Sequence, residues 1–178
     1  MNGRRALALC VTILAAVGGA SQAQALCLYR GEFHGRSTIT GEFRESSLVI
    51  KGTVIETHDI PPVDVDHSEL DSYAVARIRV DEVFKGQAGQ EVFLISERNS
   101  GGFYVDAGVQ YLLFLDPPVR ADWSKGYEPA EVAKVQSLPR PRFINYNCGQ
   151  SAPWVEVSAA KRKALDFETR RQKVLRSR

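Results

Sequence analysis

The chain has 178 residues, of which 44% are hydrophobic and 25% are charged, a composition typical of a globular protein with an apolar core. Its 23 basic and 21 acidic side chains nearly cancel, so the overall charge does not indicate a nucleic-acid partner. The length suits one domain.

The first 25 residues have the features of a secretory signal peptide. Arg4 and Arg5 precede an apolar run over residues 6–20, and Ala-Gln-Ala at 23–25 matches a small-x-small cleavage site. The apolar run is shorter than the roughly 20 residues that a transmembrane helix needs. We therefore expect export to the periplasm or the outside of the cell without a transmembrane anchor, and a single domain over residues 26–178. Loss of the two arginines leaves 21 basic side chains against 21 acidic ones.

The cysteine count changes with cleavage. Cys10 leaves with the signal peptide, and Cys27 and Cys148 remain. Two cysteines in an exported chain are expected to form a disulfide, and chain-entropy arguments give so long a closure about 4–5 kcal/mol. Two free or intermolecular thiols are the alternative. Two thiols alone do not supply the four ligands of a structural zinc site.

Four segments between residues 48 and 116 have the composition of strands. They cover residues 48–57, 73–84, 90–97 and 109–116. Gly52 inside the first segment is typical of a bulge or sharp bend. The second segment alternates, with Ala74, Ala76, Ile78 and Val80 on one face. The fourth, VQYLLFLD, is apolar on both faces, which indicates a strand that is covered on both sides.

The rest of the chain is less regular. Residues 117–142 hold five of the eight prolines and predict an irregular excursion, with at most a short helix at 129–136. RFINYNC (142–148) predicts a last strand. Residues 158–178 predict a helix, whose apolar positions near one face are Val157, Ala160, Ala164, Phe167 and Val174. Its residues 161–178 contain eight basic and two acidic side chains.

These elements predict a mainly β fold, namely a five-stranded Greek-key barrel of the OB-fold type with the C-terminal helix packed on it. A β-sandwich is the alternative, although it needs about seven strands. We expect the apolar stripe of the helix to face the barrel and its basic side to be solvated. Attraction of that side to anionic lipid, nucleic acid or an acidic partner is the alternative.

Four stretches of the chain, in order and spacing, resemble the netrin-like module: SSLVIKGTVIE, IRVDEVFKG, DAGVQYLLFLD and NCGQSAPWVEVSAA. The resemblance covers roughly residues 27–160. That module is shared by the tissue inhibitors of metalloproteinases and by many exported bacterial proteins. The resemblance implies an OB-fold barrel with a helix packed against it.

The resemblance also implies an alternative function, inhibition of a zinc metalloendopeptidase. In the inhibitors of the family, the free amine and carbonyl of an N-terminal cysteine chelate the catalytic zinc of the protease. The matching residue is Cys27, but the predicted cleavage leaves Leu26 in front of it and displaces the α-amine. The inhibitors also begin with Cys-x-Cys, whereas this chain has Cys27-Leu28-Tyr29.

The loop between the first two predicted strands is the main candidate binding segment. Residues 57–72, THDIPPVDVDHSELDS, combine two histidines with five acidic side chains. The spacing lacks the glycine and distant glutamate of a calcium loop, so we expect a hydrated loop, with a weak metal site as the alternative. The candidate partner-binding residues are Leu26, Cys27, His58, Asp64, Asp66 and His67. Five aromatic residues lie in or near predicted loops, namely Phe103, Tyr104, Trp123, Tyr127 and Trp154. Exposed ones could anchor a partner, but we expect most of them to be buried.

No pattern for catalysis emerges from the sequence. Histidines occur only at positions 34, 58 and 67, and Ser96 and Ser151 lack the sequence of a nucleophile elbow. Asp81 and Glu82 are adjacent on a strand and point to opposite faces. We therefore expect no catalytic residue, cofactor or metal. The sequence favours an exported, monomeric binding module for a protein or envelope polymer, with a hydrolase that uses the 57–72 loop as a remote alternative.

Overall fold

The computed structural model describes residues 28–29, 32–33, 37–60, 73–97, 102–117, 130, 133, 137–139, 142–145 and 149–177. The predicted signal peptide and most of the excursion over 117–142 lie outside these residues. So do six individual predicted positions: Leu26, Cys27, Asp64, Asp66, His67 and Cys148.

The described elements run from short N-terminal strands to a long final helix. Strands β1 (Leu28–Tyr29) and β2 (Glu32–Phe33) pair with each other and precede helix α1 (Ile39–Glu45). The main sheet contains β3 (Leu48–Ile60), β4 (Tyr73–Lys85), β5 (Glu91–Glu97), β6 (Gln110–Leu115), β7 (Arg142–Ile144) and β8 (Ala152–Pro153). A 3-10 turn at Trp154–Glu156 leads into helix α2 (Ala159–Arg176).

The main sheet is mixed and curled. Its strand order is β7-β5-β4-β3-β6-β8, with a parallel pair between β5 and β7 and antiparallel pairs elsewhere. Backbone hydrogen bonds of 3.1 and 2.8 Å between Asp116 and Ile144 join the end of β6 to β7. Because β6 and β7 lie on opposite sides of β3, this bridge brings the sheet round on itself. The prediction of a mainly β, barrel-like sheet followed by a helix is confirmed.

The four central strands agree with the sequence prediction within three residues at each end. The last predicted strand, 142–148, is observed as β7 over its first three residues, and residues 146–148 lie outside the description. The elements β1, β2, α1 and β8 were not predicted from the sequence. All four are short, and a helix of seven residues such as α1 depends on its packing and caps rather than on a long periodic pattern.

Gly52 bends β3, as its position predicts. A register shift of the β3–β4 ladder falls between Lys51 and Gly52. A Cβ atom at this position would lie 2.6 Å from Ile78 Cγ2 and 3.0 Å from the carbonyl oxygen of Arg79. The absence of a side chain therefore lets β4 approach β3 closely at the bend.

Two apolar layers lie on the two faces of the sheet. The inner layer includes Leu48, Ile50, Val54, Ile78, Val92, Leu94, Tyr111, Leu113 and Leu115. The outer layer joins the sheet to the helices and includes Ile39, Phe43, Val49, Phe84, Leu112, Phe114 and Leu165. β6 contributes alternate residues to both layers, which confirms that it is covered on both sides.

Helix α2 packs on the sheet through a face that differs from the predicted one. Leu165 is fully buried and Ala164 packs beside it, whereas Phe167 and Val174 are exposed. The predicted apolar stripe was therefore wrong for these two residues and for Ala160, which is also exposed. Glu168 faces inward instead, where its carboxylate contacts Arg44 at 3.5 Å and Arg171 at 3.2 Å. A buried carboxylate is tolerated when it is paired with a cation. Hydrophobic periodicity cannot predict this, because it counts every glutamate as a solvent-facing residue.

The Lys85-Gly86 turn docks α1 on the sheet. Lys85 Nζ donates hydrogen bonds to the carbonyl oxygens of Phe43 and Arg44, at 2.7 and 2.8 Å. These acceptors are among the last carbonyls of α1, which lack partners within the helix. Gly86 has φ +84°, and a Cβ atom there would lie 2.6 Å from the carbonyl oxygen of Ser47. The turn thus accepts only glycine without strain.

Substitution of Gly86, Gly108 and Gly89 by alanine tests how strongly the backbone at each position requires glycine. Gly86→Ala is expected to lower the free energy of unfolding by about 2–4 kcal/mol, because it adds a clash with backbone to an unfavourable φ. Gly108 also has a positive φ, of +81°, but open space around it, so Gly108→Ala should cost about 1 kcal/mol.

Gly89→Ala is the matched control, since its surroundings are open and its φ is not in the left-handed region. It should stay within about 0.5 kcal/mol of the parent chain. Chemical denaturation monitored by circular dichroism measures all three. Equal losses for Gly86→Ala and Gly108→Ala would contradict the close approach to Ser47.

Candidate functional site

Two segments next to the core, residues 103–111 and 151–162, have packing roles. In DAGVQY, the backbone N–H of Asp106 donates to the Tyr111 hydroxyl at 3.1 Å, and that hydroxyl donates to Asp106 Oδ2 at 3.4 Å. Tyr111 is buried, its ring meets Phe103 edge-to-face at 6.0 Å between centroids, and burial raises the pKa of its hydroxyl. These contacts shape the 102–109 connection between β5 and β6.

The segment that leads into α2 has a similar role. Ser151 Oγ accepts a hydrogen bond from the backbone N–H of Phe114 at 2.9 Å. The Trp154 ring stacks on Phe84, and the Arg162 guanidinium lies 4.5 Å from its centroid. Arg162 also donates to the carbonyl oxygens of Trp154 and Val157, at 2.9 and 3.0 Å. Trp154 therefore serves as part of the helix attachment.

A cleft of about 350 Å³ opens at the end of the sheet that lies away from α1. We call it the mouth cleft. It is lined by Thr57, His58 and Asp59 of β3, Ala74, Val75 and Ala76 of β4, Leu94 and Ser96 of β5, and Phe103, Tyr104, Val105 and Asp106. The strands supply a buried apolar floor, and the β3 end and residues 104 and 106 supply an exposed, mostly polar rim.

Ser96 holds one wall of the mouth cleft in place. Its side chain is only 5% exposed, and its hydroxyl donates to the carbonyl oxygen of Phe103 at 2.7 Å. This bond fixes the loop backbone beside Tyr104, whose ring is 51% exposed. The serine therefore positions the loop, and the aromatic ring next to it is about half exposed.

The predicted binding loop begins and ends at this cleft. His58 lies on its rim, and Ile60 pairs with Tyr73 across β3 and β4, so the residues that bracket 61–72 are adjacent. Asp64, Asp66 and His67 fall within that segment and outside the description. The structure brings His58 together with Phe103 and Tyr104, which the sequence named only as loop aromatics. Their proximity depends on how the strand ends meet, and no sequence spacing encodes it.

The other predicted positions, Leu26, Cys27 and Cys148, also lie outside the described residues. The chain segments that follow the two cysteines are nevertheless joined. Gln150 Nε2 donates to the carbonyl oxygen and hydroxyl of Ser37, at 2.7 and 3.1 Å, and its backbone N–H donates to the buried carboxylate of Glu42. The zinc-chelating hypothesis for the N-terminus stays a prediction.

The described part of the chain contains neither a metal-binding cluster nor a membrane-spanning helix. Among those residues, no group of three or more histidine, cysteine or acidic side chains is arranged to hold a metal ion. None of the described helices combines the length and apolar character needed to cross a membrane.

A charged cluster on the outer face of β3 and β4 is satisfied internally. Asp81 accepts hydrogen bonds from Thr53 at 2.6 Å, Gln110 at 2.7 Å and Arg79 at 3.1 Å. Burial alone would raise the pKa of Asp81, but these three donors outweigh it and lower the pKa. Because the donors come from β3, β4 and β6, this carboxylate joins three strands, and we assign it a structural role.

Comparison of the whole chain with profiles of known protein families gave no match, and comparison with curated proteins gave none. Functional inference therefore depends on the residues and the geometry described above.

The Asp81 cluster predicts a measurable pH dependence. Because the pKa of Asp81 is lower in the folded chain than its ordinary value of 3.8, the ionised form stabilises the fold above that pH. This contribution is lost as the pH falls through the lowered folded pKa. Asp81→Asn should cost about 1 kcal/mol at neutral pH, a value that allows for solvent screening of the partly exposed cluster.

Denaturation curves of both proteins between pH 7 and about pH 2 provide the measurement, the range being set by linkage. The difference in unfolding free energy between the parent chain and Asp81→Asn should become smaller as the pH falls. A gap that stays constant over this range would mean that the charge on Asp81 does not contribute.

Proposed function

We propose that this chain is an exported, non-catalytic binding module of the netrin-like type that holds a protein or envelope-polymer partner at the mouth cleft. The observation that carries the proposal is the cleft itself, which has an apolar floor, a polar rim and the exposed ring of Tyr104. Ligand sites in proteins usually combine an apolar lining with a few polar groups that fix orientation. Exposed aromatic residues in such positions often supply much of the binding energy.

The OB-fold assignment is part of the proposal. It is supported by the order in which β3 to β7 follow each other around the curled sheet and by the bridge from Asp116 to Ile144. A five-stranded Greek-key barrel of this class commonly binds its ligands with loops at the strand ends. The 61–72 segment and the 102–109 connection would be the corresponding loops here.

The size of the mouth cleft indicates how much of the partner it accepts. A volume near 350 Å³ is at the lower end of the range for ligand pockets. It suits one side chain or one sugar unit of a larger partner, the rest of which would lie against the rim. The commitment of the Ser96 hydroxyl to the Phe103 carbonyl favours binding over nucleophilic chemistry at this site.

A disulfide between Cys27 and Cys148 completes the proposed module. The hydrogen bonds between Ser37 and Gln150 support it, because they hold together the two chain segments that follow these cysteines. In this arrangement the bond would attach the start of the exported chain to the sheet.

Thiol titration of the exported protein tests this bond. We expect no free thiol in denaturant without reductant and two after reduction. Replacing both residues, as Cys27→Ala with Cys148→Ala, should lower the free energy of unfolding by about 2–4 kcal/mol. Two titratable thiols before reduction would overturn the assignment.

Site-specific photo-crosslinking tests the mouth cleft as the partner site. A photoreactive residue at position 104 should give a defined adduct with material from the envelope of the source organism, because the Tyr104 ring is exposed at the cleft. The same residue at position 155 is the control, since Val155 is 87% exposed but lies on the turn before α2.

Substitutions at the mouth cleft should weaken binding of the partner that is identified by crosslinking. Tyr104→Ser combined with His58→Ala is expected to reduce affinity at least about tenfold, whereas Val155→Ser should leave it unchanged. Identical adducts from positions 104 and 155, or undiminished capture by the cleft variant, would count against the proposal.

A further inference from the structure

Helix α2 presents an apolar face to solvent in its C-terminal half. Phe167, Val174 and Leu175 are 59, 54 and 61% exposed. The helix is held to the sheet through a different face, on which Leu165 is buried and Glu168 pairs with Arg44. These three large apolar side chains are therefore available for contact with another surface.

The same face is basic. Lys163, Arg170 and Arg171 are exposed, and they lie three or four positions from Phe167, so they border it on the helix surface. Arg170 and Arg171 are likewise three or four positions from Val174. We call Lys163, Phe167, Arg170, Arg171, Val174 and Leu175 the outer face of α2.

The charge is concentrated in this part of the molecule. Residues 161–178 carry eight basic and two acidic side chains, a net charge of +6, whereas the other 160 residues carry 15 basic and 19 acidic ones, a net charge of −4. One of the two acidic residues of the helix, Glu168, is turned inward and paired with arginine. The charge separation would orient the molecule with α2 towards an anionic surface.

Basic and large apolar side chains on one exposed helix face match the chemistry of a lipid headgroup region. Cationic groups interact there with anionic headgroups, while Phe, Val and Leu enter the boundary of the acyl chains. A soluble polyanion would use the cationic groups alone and leave the apolar side chains in water. We propose that the outer face of α2 docks the protein on an anionic lipid bilayer.

This docking leaves the mouth cleft accessible. The outer apolar layer that joins α2 to the sheet includes Val49 and Phe84, near the start of β3 and the end of β4. The mouth cleft includes His58 and Ala74, at the other ends of the same strands. About nine residues of β3 separate the two regions, or roughly 30 Å of extended strand. Lipid binding and partner binding are thus separate properties of the molecule.

Vesicle co-sedimentation of the exported protein tests the docking. We expect binding to vesicles that contain phosphatidylglycerol and weak or no binding to pure phosphatidylcholine vesicles, with affinity that falls as salt rises. Lys163→Gln combined with Arg170→Gln should weaken binding about thirtyfold, from the usual contribution of each basic residue near an anionic surface. Phe167→Ser should weaken it about tenfold through the lost apolar insertion.

Val155→Ser is the matched control, since it removes an apolar side chain that is even more exposed than Phe167 and lies outside the outer face. It should bind vesicles as the parent protein does, and circular dichroism should show the same fold and thermal midpoint for every variant. Equal binding to neutral vesicles, or variants of the outer face that bind as tightly as the parent, would overturn the proposal. Binding to soluble polyglutamate but not to vesicles would also overturn it, in favour of an acidic protein partner.

Discussion

The structure depends on burying both faces of β3 and β6. Alternate residues of these strands enter the inner layer, through Ile50 and Leu113, and the outer layer, through Val49 and Phe114. Two-sided burial has a geometric requirement, because β3 must also bend and keep its pairing with both neighbours. Gly52 supplies the bend. The N–H and hydroxyl of Ser47 donate to Asp116, at 2.9 and 3.0 Å, which holds the start of β3 against the end of β6.

The burial of both faces explains the roles of several residues near the sheet. Lys85 attaches α1, whose Ile39 and Phe43 belong to the outer layer, and Tyr111 with Asp106 shapes the connection next to the inner layer. These residues maintain the scaffold, and their contacts are internal. Tyr104 and His58, by contrast, are exposed at the mouth cleft. A scaffold of this kind can therefore carry different binding surfaces on its loops.

Helix α2 has one face that packs on the scaffold and another face that is exposed for interaction. Its inner face contributes Leu165 to the outer apolar layer, and Arg162 holds the preceding turn by hydrogen bonds and by stacking on Trp154. On its outer face, Arg171 pairs with Glu168, whereas Phe167, Val174 and Leu175 are exposed and can serve interaction without loss of the fold. Asp81 gives the opposite case, since a charged group that is bonded to three strands is committed to the scaffold.

The strands could be predicted from the sequence, because apolar residues alternate over 73–84 and run almost without interruption over 109–116, and both patterns are typical of strands. The sequence also indicated the irregularity at Gly52 and the helix after Ser158. Which face of α2 is buried depends on the packing of the whole chain, because Glu168 becomes acceptable inside once Arg44 of another helix approaches it. It likewise decided that His58, Ser96 and Tyr104 share one cleft, because their proximity follows from the curl of the sheet and not from any spacing along the chain.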